Sequence, residues 1–176
     1  IKSLRGSDVQ ATLYWMARMI EAGEDPMFVA RRLVVFASED VGNADPRGLQ
    51  IALAAKEAVH FLGLPEAKFS LSQATAYLAT SPKSNSAGGY FEAAKAVRKH
   101  GALPVPTHLR NAPTKLMKEL GYGDSYRYAH DYPGNFADQE FLPESIKGHS
   151  LYKPGDNAAE KKASDGMKHR WPKYYK

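Results

Sequence analysis

The segment from Asp25 to Gly63 is the feature that most constrains the fold of this chain. Its Asp25-Pro26 and Asp45-Pro46 pairs are typical helix starts, because aspartate caps orphan backbone N–H groups and proline at the first helical position removes no needed bond. Gly42-Asn43 and Gly63 are residue types that end helices. Between these signals, apolar residues recur at helical spacing: Val29, Leu33, Phe36 and Ala37, then Ile51, Ala55, Ala58, Val59 and Leu62. The pattern predicts two antiparallel helices, each with one buried stripe.

Similar signals predict further helices on both sides of this pair. Ser7 and Gln10 form a capping-box pattern at the start of a helix that ends at Gly23. Its buried stripe is predicted to contain Val9, Leu13, Met16, Ala17 and Ile20. Helices are also predicted over 66–80, with Leu71, Ala74 and Leu78 inward, and over about 86–99. Short connections force successive helices to pack side by side. Residues 1–100 are therefore predicted to form an all-α bundle of short antiparallel helices.

The composition changes after Gly101. Seven of the eleven prolines and seven of the ten tyrosines follow it. One short helix is predicted over 113–120, and residues 122–152 show no sustained periodicity. The sequence thus predicts a single domain over 1–176. It consists of a helical bundle over 1–100, an irregular Pro- and Tyr-rich wrap over 101–160 with one short helix, and a basic tail over 161–176. A last helix is predicted over 157–169, with a mobile chain beyond Trp171.

Composition and charge exclude several classes of protein. The chain has no run of 18 apolar residues and no cationic-then-apolar start, so neither a membrane span nor a signal peptide is expected. The absence of cysteine excludes disulfides, thiolate metal sites and thiol nucleophiles, and it is compatible with the cytoplasm. The formal net charge of +5 and the pI of about 9.3 allow contact with nucleic acid. No membrane partner is expected.

Basic residues near aromatic rings make nucleic acid one candidate partner. These residues are Arg110, Lys115 and Lys118 at the predicted short helix, and Lys168, Arg170 and Trp171 in the tail. Cations that bind phosphates and rings that stack on bases are the pattern of single-strand binding. The alternative is a solvated basic face, with Leu116, Met117 and Leu120 turned inward on the short helix.

His130-Asp131 invites comparison with all-helical metal phosphohydrolases, whose ligands are scattered His, His-Asp and Asp residues. The earlier ligand would be His100 or His108, and the later one Asp138 or Asp156. In such enzymes the dipeptide lies on a helix. Here it lies in an aperiodic stretch, which favours loop side chains that bond backbone groups.

Two other polar clusters have simpler explanations. Glu39, Asp40 and Asp45 do not match the twelve-residue calcium loop. The serine-rich segment 81–86, with Lys83, could hold an anion at the start of the next helix. It lacks a Walker pattern, so a helix-capping loop is favoured. Because no Walker loop, Gly-x-Ser-x-Gly motif or carboxylate pair assembles a catalytic site, the chain is not expected to be an enzyme.

Four motifs, in order along nearly the whole chain, carry a resemblance to a known family. They are Ser3-Leu4-Arg5-Gly6-Ser7-Asp8 leading into Leu13-Tyr14-Trp15-Met16-Ala17-Arg18-Met19, then Ala37-Ser38-Glu39-Asp40-Val41-Gly42 with Ala44-Asp45-Pro46, then Pro82-Lys83-Ser84-Asn85, and finally residues 108–123 with 126–131. The chain resembles the C-terminal part of the replication-associated recombination ATPases, the RarA or MgsA group. Its eukaryotic members are the Werner-helicase-interacting ATPases. These AAA+ proteins are similar to clamp loaders.

The resemblance implies a helical domain that follows the ATPase module and lid and gathers subunits into a homotetramer at stalled or damaged replication forks. The ATP- and Mg-binding residues of the family belong to an N-terminal module that the chain lacks, so no cofactor is expected here. Expected partners are further copies of the chain, DNA through the full-length protein, and single-stranded DNA-binding protein or other replisome components. The expected location is the bacterial cytoplasm, at the nucleoid.

Apolar residues that lie off the predicted stripes are the predicted oligomer interface. They are Tyr14, Trp15 and Met19 on one helix and Phe28 and Val35 on the next. The leading hypothesis is an oligomerisation domain with no catalysis of its own. The alternative is a DNA-binding module that uses the basic residues named above. The third and least favoured hypothesis is the metal phosphohydrolase.

Overall fold

The computed structural model describes residues 1–175, and its regular structure is helical throughout. The α-helices are α1 (Lys2–Arg5), α2 (Val9–Glu21), α3 (Pro26–Phe36), α4 (Arg47–Leu62), α5 (Ala67–Thr80), α6 (Gly89–His100), α7 (Lys115–Glu119) and α8 (Ala158–Arg170). No strand occurs in residues 1–175, so the all-α prediction is confirmed. None of the helices in this range is both long and apolar enough to span a bilayer.

The chain forms two compact units. Unit 1 consists of residues 1–89 and 152–163 and contains α1 to α5 with the start of α8. Among the described residues, unit 2 consists of 90–151 and 164–175, and it contains nearly all of α6, all of α7 and the end of α8. Unit 1 therefore ends before α6, which the sequence assigns to the bundle, and the returning segment 152–163 completes it. That the whole chain folds as one domain stays a prediction.

Helix α5 is the centre of unit 1. It contacts α1, α2, α3 and α4, and its small buried residues, such as Ala67, Ala74 and Ala79, let neighbouring helices approach closely. The buried residues of two of its neighbours include Val29, Leu33 and Phe36 of α3 and Ala52, Ala55 and Val59 of α4. The stripes predicted for α3 and α5 are confirmed. Leu62 is exposed, contrary to prediction, because it lies in the last turn of α4.

Helix α2 differs from the prediction in its start and its burial. Its N-cap is Asp8, whose carboxylate accepts a hydrogen bond from the Ala11 N–H at 2.9 Å, whereas Ser7 precedes the cap with a φ of 58°. Thr12 is the only fully buried residue of α2. Of the predicted stripe, Val9, Leu13, Met16 and Ile20 are half-buried and Ala17 is exposed. The prediction of a fully buried stripe is wrong, because unit 1 covers this helix only partly.

The connection between α3 and α4 combines a π-helical turn, Ala37–Val41, with Gly42, which has φ 50° and ψ −132°. Asp45 then organises the start of α4. Its carboxylate accepts hydrogen bonds from the Arg47 N–H at 3.2 Å and from the Tyr77 hydroxyl at 2.5 Å. Hydrogen bonds from the Arg47 side chain and from Tyr77 hold the pKa of Asp45 below its usual value. The aspartate thus binds the first N–H of α4, but the helix begins one residue later than predicted, with Pro46 and not Asp45 at the N-cap position.

Replacing Gly42 by alanine is expected to lower the free energy of unfolding by about 1–3 kcal/mol. The alanine would keep a backbone conformation that only glycine adopts readily, and its Cβ would lie 3.2 Å from the Ser84 carbonyl oxygen. Urea unfolding measures the loss. Gly88→Ala is the matched control, since no heavy atom lies within 4 Å of an added Cβ there. Equal stability of the two variants would contradict this account of Gly42.

Unit 2 has little regular structure between α6 and α8. Its turns include the three-residue 3₁₀ helices Ala129–Asp131, Pro133–Asn135 and Glu144–Ile146. The aperiodic stretch predicted over 122–152 is confirmed. Neither α6 nor α7 has a fully buried residue. Leu116 and Leu120 are exposed, so the inward orientation considered for them is wrong.

Candidate functional site

Three of the four sequence motifs converge in unit 1. Arg5 and Asp40 form a bidentate pair, with Nε to Oδ1 at 2.6 Å and Nη2 to Oδ2 at 3.0 Å. The Ser84 N–H donates to the Asp40 carbonyl oxygen at 2.7 Å, and Lys83 Nζ donates to Ser7 Oγ at 3.1 Å. Bidentate arginine pairs fix geometry as well as adding energy. The motif residues therefore join the start of the chain, the π-helical turn and the segment after α5.

A buried carboxylate occupies the serine-rich segment 81–86 that the sequence suggested for an anion. Glu160, at the start of α8, is 2% exposed. Its carboxylate accepts hydrogen bonds from the side chains of Ser84, Ser86, Asn157 and Tyr152. Burial raises the pKa of Glu160, but these hydrogen bonds outweigh it and leave the pKa below its usual value. The anion that this segment holds is thus a side chain of the same protein.

The α2–α3 surface, defined by Tyr14, Trp15, Met19, Phe28 and Val35, is exposed at all five positions. Trp15, Met19 and Phe28 line one apolar cavity of about 140 Å³. Tyr14 meets Trp15 edge-on, with ring centroids 5.2 Å apart. Val35 lies further along α3 and does not line the cavity. The structure therefore brings three of the five predicted interface residues together around one opening.

Two arginines that the sequence analysis did not select belong to this surface. The Arg18 guanidinium carbon lies 5.4 Å from the centroid of the Trp15 ring, and Arg32 lines the cavity with Trp15. Arginine and aromatic side chains are both enriched at protein–protein interfaces. The signal in the sequence was the spacing of Arg18 three residues after Trp15, which places both on one side of a helix.

The residues predicted to contact DNA all belong to unit 2. They differ in whether their side chains are exposed or already bonded within the unit. The Arg110 guanidinium donates to the Val105 carbonyl oxygen at 2.7 Å and to the Tyr122 hydroxyl at 3.0 Å. Lys115 pairs with Glu119 at 3.8 Å while its side chain remains largely exposed. Lys118, Lys168 and Arg170 are exposed. Exposed cations are thus present, whereas Arg110 is engaged within the unit.

Residues 171–174 make side-chain contacts within unit 2, where the sequence predicts a mobile chain beyond Trp171. The Trp171 ring meets Phe136 and Phe141 edge-on, with centroid distances of 5.2 Å and 5.9 Å. Glu140 accepts hydrogen bonds from Lys173 Nζ at 2.7 Å and from the Tyr174 hydroxyl at 3.2 Å. These contacts order the described tail residues, and they occupy the ring that was predicted to stack on bases.

Glu140 has the most strongly shifted pKa of this cluster. Burial raises its pKa, but hydrogen bonds from Lys173, from the Leu142 N–H and from Tyr174 outweigh that effect and lower the pKa to about 2. The ordinary value for this side chain is 4.5. A carboxyl whose pKa is lower in the folded state stabilises the fold above its unfolded pKa, and this stability is lost as the pH falls through the folded pKa.

The Glu140→Gln variant is expected to be less stable than the wild type by about 3 kcal/mol at pH 7, and by only about half of that near pH 3. The difference shrinks because the wild-type carboxyl becomes protonated, whereas glutamine does not titrate. Urea unfolding, monitored through the fluorescence of Trp171 in a Trp15→Phe background, measures this stability difference at each pH. Glu144→Gln is the control, because its carboxylate is largely exposed. A stability difference independent of pH would contradict the assigned pKa.

No metal centre is formed by the candidates considered from the sequence. His130 and Asp131 are exposed on a 3₁₀ turn, and His108 Nε2 lies 2.8 Å from the Glu140 carbonyl oxygen. In residues 1–175 no group of three His, Asp or Glu side chains is arranged to hold a metal ion. Asp40 and Asp45 are engaged with Arg5 and with Arg47, respectively. The described residues thus give the phosphohydrolase hypothesis no support.

The structure is an all-α fold with an exposed aromatic and apolar face on α2 and α3. Residues 6–171 match the family described as MgsA AAA+ ATPase C terminal, and the chain belongs to that family. The resemblance carried by the four motifs is confirmed. The chain corresponds to the C-terminal region of these ATPases, whose catalytic module lies outside the printed sequence.

Relatives in bacteria and in a eukaryote show the same relationship. The Replication-associated recombination protein A of Coxiella burnetii is 49% identical over 96% of this chain, and that of Haemophilus influenzae is 51% identical over 90%. A Dictyostelium discoideum protein named ATPase WRNIP1 is 46% identical over 86% of the chain. The chain spans 39%, 36% and 18% of the lengths of these three relatives.

Proposed function

We propose that this chain is the oligomerisation domain of an AAA+ ATPase that acts in replication-associated recombination and repair, and that it gathers the subunits into a homotetramer. The ATPase module would bind ATP and Mg, and the assembled protein would act on DNA with single-stranded DNA-binding protein or other replisome components. The proposed site of action is the cytoplasm, at the nucleoid. Family membership supports this proposal at the level of the whole protein.

The incomplete burial of α2 carries the oligomerisation proposal. This helix has thirteen residues, most of them apolar, and only Thr12 is fully buried. Trp15 is 48% exposed, and Phe28 on α3 is 41% exposed beside the same cavity. Contiguous apolar surface of this kind marks protein–protein contact sites. A second copy that covered α2 would bury the aromatic residues and the cavity together.

The solution mass of the chain tests this proposal. Light scattering after size exclusion, over a range of protein concentrations, is expected to give a mass near four chains of 19.4 kDa. A mass of one chain throughout the range would overturn the proposal. Obligate interfaces bury on the order of 2,000 Å² or more, so a tetramer of this kind is expected to persist at micromolar concentration.

DNA binding is a second candidate function, and the exposure of Lys118, Lys168 and Arg170 favours it. Phosphate contacts make binding strongly dependent on salt. Lys118→Ala/Lys168→Ala/Arg170→Ala is therefore expected to weaken binding of single-stranded or forked DNA and to reduce its salt dependence in a fluorescence anisotropy titration. No binding by the wild-type chain at low salt would dismiss this candidate. Tetramerisation would strengthen weak contacts through avidity.

A further inference from the structure

Helices α4 and α5 meet in an apolar tip that is separate from the residues of the α2–α3 surface. The α4–α5 tip is defined by Phe61 and Leu62 at the end of α4, Leu64 in the connection and Phe69 near the start of α5. All four side chains are exposed, Phe61 at 86% and Phe69 at 83%. The core does not need them, because α4 and α5 reach it through other residues, namely Ala55, Val59, Ala67 and Leu71.

The area of the α4–α5 tip is large enough for a protein–protein contact. An aromatic side chain carries on the order of 200 Å², so Phe61 and Phe69 alone expose roughly 300 Å². With the two leucines, the summed exposed area of these four side chains is comparable to that of the largest apolar patch on a typical monomer, about 300–600 Å². It supplies about half of the roughly 800 Å² that each partner buries in a standard interface.

The charges near the tip favour a second copy of this chain as the occupant. Lys56 pairs with Glu57, and Lys68 Nζ lies 2.6 Å from Glu21 Oε1. These lysines are thus neutralised by their own chain, whereas a nucleic acid or an acidic peptide requires unpaired cations. An identical tip offers apolar rings and balanced charges, so a two-fold contact between copies brings no excess of like charge together.

A tetramer built from two-fold contacts requires such a second surface. A tetramer with two-fold interfaces needs two different self-complementary contacts on every subunit. The α2–α3 surface supplies one of them if the proposed function holds, and the present inference rests on that function. We infer that the α4–α5 tip supplies the other by packing against the tip of another copy. The assembly is then a dimer of dimers.

The Phe61→Ser/Phe69→Ser variant tests this assignment. Its solution mass is expected to be half that of the wild type, two chains in place of four, with an unfolding temperature within a few degrees of the wild type because both side chains are largely exposed. Tyr90→Ser/Phe91→Ser is the matched control, since it removes two exposed aromatic side chains from α6. The control is expected to keep the four-chain mass.

Each outcome of this experiment decides the inference. A four-chain mass for the tip variant overturns it. A single-chain mass also overturns it, because the tip and the α2–α3 surface would then be the two halves of one interface. A wild-type chain that is monomeric overturns the proposed function instead, so the two failures are distinguishable.

A crosslinking measurement that keeps all four tip side chains gives an independent test. The chain has no cysteine, so Glu66→Cys, at an exposed position in the connection between α4 and α5, introduces a single thiol. A contact between two identical tips brings this thiol near its own copy, and oxidation is expected to give a disulfide-linked dimer. Phe91→Cys is the control and is expected to stay uncrosslinked. Equal crosslinking of both variants, or of neither, overturns the tip-to-tip contact.

Discussion

Replacing Trp15 by aspartate is expected to remove the four-chain species at concentrations where the wild-type chain is a tetramer. A tryptophan buried at the centre of an interface contributes about 2–4 kcal/mol, and an unpaired aspartate in the same place adds a desolvation cost. Each 1.4 kcal/mol changes a dissociation constant about tenfold. The combined loss therefore weakens the contact on the order of a thousandfold, which light scattering over a concentration series detects as a lower mass.

Two further variants separate this effect from misfolding. Trp15 lines a cavity beside Leu4 and Val29, so its replacement also costs some stability. Met19→Asp changes a side chain of the same surface that is more than one third exposed, and it is expected to lower the mass in the same way. Tyr90→Asp replaces an exposed aromatic side chain of α6 by the same charged residue and should leave the solution mass unchanged. A four-chain mass for both Trp15→Asp and Met19→Asp would contradict the assignment of the α2–α3 surface.

The two proposed surfaces make a joint prediction. If the α2–α3 surface and the α4–α5 tip are independent two-fold contacts, Trp15→Asp leaves a dimer joined at the tips. Combining Trp15→Asp with Phe61→Ser/Phe69→Ser is then expected to give a monomer, because distant and independent contacts act additively.

Local signals in the sequence were sufficient to predict α3, α4 and α5 as helices. Asp25 accepts a hydrogen bond from the Met27 N–H at 2.8 Å, as the Asp-Pro pattern predicts, and Gly63 has a φ of 69° at the end of α4. These features depend on residues a few positions apart, and hence single-sequence patterns report them. The buried stripes of α3 and α5 follow from the same spacing, because both helices are covered by neighbours within unit 1.

The burial of α2 could not be predicted in the same way. Val9, Leu13, Met16 and Ile20 have the spacing of a buried stripe, yet all four are only half-buried. Periodicity shows that a helix has an apolar side, but it does not show whether the same chain or another copy covers that side. The predicted interface residues of α2 and α3 remain predictions for this reason, although three of them line one cavity.

Long-range polar contacts were the other feature that the sequence could not predict. The sequence predicts a last helix over 157–169, and α8 begins at Ala158, where the Glu160 N–H donates to Asn157 Oδ1 at 3.0 Å. Nothing in that local pattern places Glu160 against Ser84 and Ser86, more than seventy positions earlier. For the serine-rich segment the sequence favoured a helix-capping loop over an anion site, whereas in the structure the segment binds a carboxylate from the far end of the chain.

Replacing Glu160 by alanine is expected to lower the free energy of unfolding of unit 1 by about 3–5 kcal/mol. Hydrogen bonds to a charged group contribute about 1.5–3 kcal/mol each, and a buried donor left unpaired costs about 1–3 kcal/mol. Glu160 has several such donors, and Ser84 and Ser86 are buried with it. Urea unfolding measured with Trp15 fluorescence in a Trp171→Phe background reports on unit 1. Lys161→Ala, an exposed neighbour on α8, is the control and is expected to change little.

Two companion variants identify the carboxylate and its packing as the cause. Glu160→Gln keeps the volume and one oxygen acceptor, so we expect an intermediate loss of about 2 kcal/mol at pH 7. Because the folded pKa of Glu160 is lowered, the wild type keeps this advantage above the usual carboxyl pKa and loses it as the pH falls through the folded pKa. In Gly155→Ala the new Cβ would lie 2.7 Å from Glu160 Oε2, and the carboxylate must move away from its donors. If Glu160→Ala is no less stable than Lys161→Ala, the buried carboxylate does not hold the segment 152–163 in unit 1.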